Sequence, residues 1–107
     1  MGEAVIQRDE RERIVGLTMQ TDGMSALAKA SVTILLRAVV ESLTDYLHVV
    51  AEVSFGDQML LAINRSDQHL DREIDAILAT MGSGLRLVER EYPTELMVHD
   101  AAVGVEA

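Results

Sequence analysis

Three histidines, His48, His69 and His99, are the side chains of this chain that could bind a metal or move a proton near neutral pH. Their spacing builds no site. None has a second histidine three or four residues away, and His69 with Glu73 supplies two ligands where a metal centre takes three or four. Asp67, Asp71 and Asp75 lie away from an apolar stripe and read as the wet face of a helix. Ser31, Ser42, Ser54 and Ser83 stand in no recognisable nucleophile motif. The chain has no cysteine, which excludes disulfides, thiolate catalysis and cysteine-ligated metals. Gly82, Ser83 and Gly84 follow a helical pattern instead of a strand, the wrong order for a phosphate-cradling loop, and read as a helix stop. No catalytic residue, metal ligand or cofactor is expected.

Two features do suggest contacts. The turn made by Asp22, Gly23 and Met24 joins an alternating segment to a helix start, where main-chain N–H groups could hold an anion, so it is the candidate site for a small ligand. The helix that follows, "SALAKASVTILLRAVVESLTDY" at 25–46, is polar along a single row: Lys29, Thr33, Arg37, Glu41 and Asp45. Its apolar residues, among them Leu27, Ile34, Leu35 and Val39, cover well over half the circumference, more than one sheet face can bury. A surplus of this kind marks an interface. Its expected members are Leu35 and Val39 on the helix, and Val50, Leu60 and Ala62 on an uncovered sheet face. The polar row should be the strip left wet between the sheet and a second chain.

These segments need a frame. At 107 residues the chain is long enough for one domain with one core. Its 49% hydrophobic and 25% charged residues place it with folded globular proteins, and 3% aromatics leave the core to Val, Leu, Ile, Ala and Met. A net charge of -9 with no basic cluster disfavours nucleic acid and anionic membranes as partners. The longest apolar run is broken by Lys29 and Arg37, so no membrane span is expected, and the chain reads as cytoplasmic.

Along the chain, "QRDERER" at 7–13 mixes signs without an apolar period, so residues 1–12 are expected to be a flexible arm. "RIVGLTMQ" alternates as a strand does, and Ser25 can cap the long helix. Two apolar runs flank Gly56 and Asp57 as a hairpin. The longer loop, which pairs Val53 with Leu61 and Ala51 with Ile63, puts the best apolar set on one face. A second helix follows, capped by Ser66 or Asp67, with Leu70, Ile74, Ile77, Leu78 and Met81 on one stripe and its end at Gly82 or Gly84. "LRLVEREY" reads as the fourth strand, "ELMVH" as a possible short fifth, and 100–107 as a flexible tail. Strand, helix, strand, strand, helix, strand in one α+β domain over 13–99 is most economically a ferredoxin-like βαββαβ sandwich. Its antiparallel sheet carries both helices on one face and leaves the other bare.

With interface as the stronger signal, the leading expectation is a non-enzymatic regulatory or interaction module. It would act as a homodimer or as a small subunit bound to a larger partner. "TDGMSALAKA" resembles, over about ten residues, the strand-to-helix turn of ACT-type domains, and that resemblance implies small-molecule sensing. "VGLTMQ" is similar to the opening strand of the cofactorless effector subunits of soluble di-iron monooxygenases, although their later "LGRPF"-like segment is missing. A ferredoxin-like oxygenase or isomerase built around one histidine is the remaining alternative.

Overall fold

In the computed structural model, which describes residues 1–65 and 69–103, the strand "IVGLTMQ" is the centre of the sheet. It is β2, Ile14–Gln20, and its alternation sends Leu17 and Met19 inward, both almost fully buried. On one side it pairs antiparallel with β4, Gln58–Ile63, which in turn pairs with β3, Ala51–Ser54. The register places Val53 opposite Leu61 and Ala51 opposite Ile63, as the longer hairpin loop requires.

On its other side β2 pairs with a strand where a flexible arm was expected. β1, Gly2–Arg8, lies antiparallel to β2 and parallel to β5, Leu96–Ala102. Ala4 and Ile6 fill the core between them. The charged run that suggested disorder is a closed turn. The Asp9 carboxylate accepts the main-chain N–H groups of Arg11 and Arg13 and the Arg13 guanidinium, each at 2.9 Å. Burial acts against it, yet these three donors hold the Asp9 carboxyl below its ordinary value.

The sheet order is therefore β3-β4-β2-β1-β5, and the sheet is mixed instead of wholly antiparallel. It keeps the ferredoxin-like βαββαβ order with β1 inserted between the first and last strands of that motif. Both helices lie on one face. α1, Ala26–Glu41, buries Ala28, Val32, Leu36 and Val39, one row at helical spacing. It ends in a wide turn, Ser42–Tyr46, in which the Leu47 N–H donates to the Ser42 carbonyl five residues back.

α2, Asp71–Glu91, runs well past the glycines expected to stop it, and its buried row Ile74, Leu78, Met81 and Leu85 keeps period. Gly84 is used for close approach: a Cβ there would stand 2.7 Å from Leu35 Cδ2. "LRLVEREY" is thus the last part of α2, and the strand before the C-terminus is the segment expected as a short fifth. Asp100–Ala102 of the expected tail belongs to β5. The proposed caps Ser66 and Asp67 lie outside the described residues, and Leu70, at φ 67, precedes the helix.

The outer sheet face corrects a second expectation. Leu60 and Ala62 lie on it, but the pairing of β1, β2, β4 and β5 sets Glu3, Gln7, Thr18, Gln20, Gln58 and His99 on the same face. Mixed with these polar groups, it is a face that water can cover.

Candidate functional site

The polar row of α1 meets the tip of the β3–β4 hairpin. Lys29 Nζ pairs with Asp57 at 3.0 Å, and the Arg37 guanidinium lies 5.3 Å from the centre of the Phe55 ring. Thr33 turns its hydroxyl back to the Lys29 carbonyl at 2.8 Å. The hairpin tip is tied from the other side as well, because the Asp57 carbonyl accepts the N–H of Thr21 at 3.0 Å. The first three residues of the row, Lys29, Thr33 and Arg37, form one wall of a groove about 550 Å3 in volume, while Glu41 and Asp45 stay exposed beyond it. Ala26, Ala30 and Ile34 continue that wall; Phe55, Gly56, Asp57 and Met59 form the opposite one.

Alanines keep the groove open, since nothing larger than a methyl group projects from α1 at 26 and 30. Ile34 is 69% exposed, and Leu27, one further helical row outward, is 68% exposed. Among the described residues β3 pairs with β4 alone, so its other edge offers main-chain groups without a strand partner up to Phe55 at the rim. The groove thus combines apolar walls with two cationic side chains, and the edge of β3 ends beside it, although no residue of β3 itself lines it. Among the described residues, Thr33 supplies its only hydroxyl, already donated to the helix, and no histidine lines it.

The other expected positions are scattered. Val39 is 4% exposed and belongs to the core, while Leu35 packs over Gly84 of α2. Val39 is thus enclosed and Leu35 half-buried against the second helix, which takes up part of the apolar surplus and leaves Leu27 and Ile34 exposed. Val50 is exposed in the connection before β3, and Leu60 and Ala62 are partly exposed on the polar sheet face; none of the three lines the groove.

Asp22, Gly23 and Met24 form a turn with Gly23 at φ 82, folded over the chain's first residues. A Cβ on Gly23 would stand 2.7 Å from the Met1 nitrogen, and one on Gly2 would meet the Met24 sulfur. The start of α1 is served by the protein's own groups. The Glu95 carboxylate accepts the Ser25 N–H, and Ser25 Oγ accepts that of Ala28.

His48 is exposed, and His99 pairs with Glu3 at 3.1 Å on the open outer sheet face, not in a deep pocket. Among the described residues no group of three metal-binding side chains comes together. No described helix is long and apolar enough to cross a membrane.

No family model and no curated protein matches the chain. Solved structures do. The fold is shared with the Streptococcus mutans protein SMU.848, at a TM-score of 0.82 and 13% identity over 95% of both chains. It is shared equally with the essential ribosomal processing protease Prp of Staphylococcus aureus, at 0.81 and 17% identity over 94% of this chain and 100% of that one. That protease has been solved with a covalently linked product peptide and with a substrate peptide. At these identities the likeness is one of architecture, a small α+β domain with a five-stranded mixed sheet and two helices.

One group of residues was not anticipated. Arg65, 4% exposed, donates to the Ile14 carbonyl at 2.8 Å and to the carboxylates of Asp71 and Asp75 at 2.6 Å each. It ties the start of β2 to the first turns of α2. A lone arginine between a strand and a helix carries no pattern that periodicity can detect.

Proposed function

We propose that this chain is a non-enzymatic, cytoplasmic interaction module that holds an extended segment of a partner protein in the groove between α1 and the β3–β4 hairpin. The observation that carries this reading is the groove itself, apolar along Ala30, Ile34 and Phe55 and bordered by Lys29 and Arg37. An extended peptide can pair with a free strand edge and place alternate side chains in adjoining pockets. Arg37, which makes no ion pair among the described residues, favours a segment with an acidic residue beside its apolar ones, Lys29 being committed to Asp57. A protease of the same architecture, solved with a substrate peptide, supports peptides as a class this fold accommodates. The absence of cysteine, and the commitment of the Thr33 hydroxyl to the Lys29 carbonyl, favour binding without cleavage.

The test is a selection of displayed random peptides on the immobilised chain, followed by fluorescence anisotropy, NMR mapping and mass spectrometry of the bound peptide. Apolar-acidic peptides that shift the resonances of Ala30, Ile34 and Phe55, lose affinity to Ile34→Asp and keep their mass bear the reading out. Peptides that bind Ile34→Asp equally well refute the site. Peptides returned cut refute the non-enzymatic part. Light scattering on the unliganded chain tests the remaining occupant: a dimer that Ile34→Asp dissociates assigns the groove to a second copy and displaces the peptide reading.

A further inference from the structure

A second cavity, about 500 Å3 in volume, opens between the β1–β2 turn and α2 and shares no residue with the groove. Arg8, Arg11, Arg13 and Arg86 line it, four of the nine basic residues in the chain. Its wall carries two acids, Glu12 and Asp75, in a protein with 18 acids against those nine bases. Asp75 is taken up by Arg65 at 2.6 Å.

Three of the arginines are held in place. Asp100 bridges Arg8 Nε at 3.2 Å and Arg86 Nη2 at 2.6 Å, and Arg8 Nη1 also donates to the Glu12 carbonyl at 2.9 Å. Arg13 is braced by Asp9 at 2.9 Å and by Asp71 at 3.4 Å. The Arg11 side chain, by contrast, has no hydrogen bond or ion pair among the described residues. Its main-chain N–H alone is used, by Asp9. Guanidinium groups fixed before a ligand arrives lose little freedom when they bind it.

The floor is formed by Gly82 and the exposed Ala79 and Ser83 of α2, over the buried core side chains Ile6, Ile14 and Leu78. Glycine in a helix interior is less favourable than alanine, and here neither backbone angle nor crowding calls for it. A Cβ on Gly82 would make an ordinary contact of 3.6 Å with Ile6 Cδ1, in contrast to Gly84, where a Cβ would collide with Leu35. What Gly82 preserves is open volume.

We propose that this cavity binds a small organic anion, its apolar body on Ala79 and the aliphatic stems of the arginines and its oxyanion held by Arg11 with Arg8 and Arg86. Phosphate monoesters and carboxylates share the chemistry that arginine forks recognise. An apolar body distinguishes them from inorganic ions.

The experiment is calorimetric titration of the full chain with phenyl phosphate, benzoate and inorganic phosphate at millimolar concentration, ionic strength held constant with sodium chloride. Saturable binding of phenyl phosphate or benzoate, tighter than that of inorganic phosphate, is expected, and the arm that binds more tightly names the oxyanion. Arg11→Glu should weaken it roughly tenfold or more, because a charge-assisted contact is replaced by repulsion. Gly82→Leu should abolish it by filling the floor. Should Gly82→Leu fail to fold, Arg11→Glu decides alone, since Arg11 supports no other side chain. Absence of saturable binding in both organic arms, or equal affinity in Arg11→Glu, overturns the assignment.

Discussion

Arg65→Met is the substitution whose consequence can be worked through most fully. Methionine keeps the apolar stem and removes every donor. The wild-type guanidinium, 4% exposed, serves the Ile14 and Asp71 carbonyls and two carboxylates; without it the Ile14 carbonyl and Asp75 lose the donor, while the Asp71 carboxylate keeps Arg13 at 3.4 Å. Removing one member of a buried ion pair costs about 3–5 kcal/mol when the other stays buried. Here the side chains of Asp71 and Asp75 are 24% and 49% exposed and recover water, so the loss falls to about 2–3 kcal/mol. In a domain of this size that lowers the Tm by roughly 10–20 °C.

The effect also depends on pH. A hydrogen bond from the Arg65 guanidinium, opposed by burial and aided by the charges of Arg65 and Arg13, holds the Asp71 carboxyl below its ordinary value. With its folded pKa lowered, the native chain binds fewer protons than the unfolded one. The stabilisation is therefore complete above the unfolded value of about 3.9 and is lost as pH falls through the lowered native one. Urea denaturation of both proteins, followed by circular dichroism at neutral and acid pH, measures the difference. It should be largest at neutral pH and shrink in acid. A neutral-pH loss below about 1 kcal/mol, no more than an average substitution gives, refutes the reasoning. So does a difference that stays constant into acid.

Three further outcomes follow from the packing. Gly84→Val drives a branched side chain into Leu35 and should cost about 1–3 kcal/mol in denaturant titration, most of it restored in the double variant with Leu35→Ala. Deleting residues 1–8 removes a strand flanked by β2 and β5 and should abolish cooperative thermal unfolding, whereas loss of a flexible arm would leave the melting curve unchanged. Ile34→Asp, at a position 69% exposed, should change stability by no more than about 0.5 kcal/mol while removing peptide affinity; a large drop in Tm would show that Ile34 belongs to the core.

Local pattern was sufficient wherever an element is specified by its own neighbours. The alternation of β2, the cap at Ser25 and the hairpin register of Val53 with Leu61 follow from period and parity alone. So does the polar row of Lys29, Thr33 and Arg37, though not its direction. That row faces Asp57 and Phe55, residues of a distant hairpin, and only the folded chain turns a wet stripe into a groove wall.

β1 was hidden for a similar reason. "EAVIQ" is short and bordered by charges, and it becomes a strand because β2 and β5 stand on either side of it. The continuation of α2 through Gly82 and Gly84 was also illegible, since the benefit that offsets two helix-interior glycines lies on other elements, with Leu35 filling the space at one and the arginine-lined cavity opening at the other. Arg11 and Arg86 are unremarkable charges in the sequence. Hydrophobic period reports how a segment meets its core, whereas the meeting of charges far apart in the chain depends on which strands pair and how the helices cross, and those are properties of the whole fold.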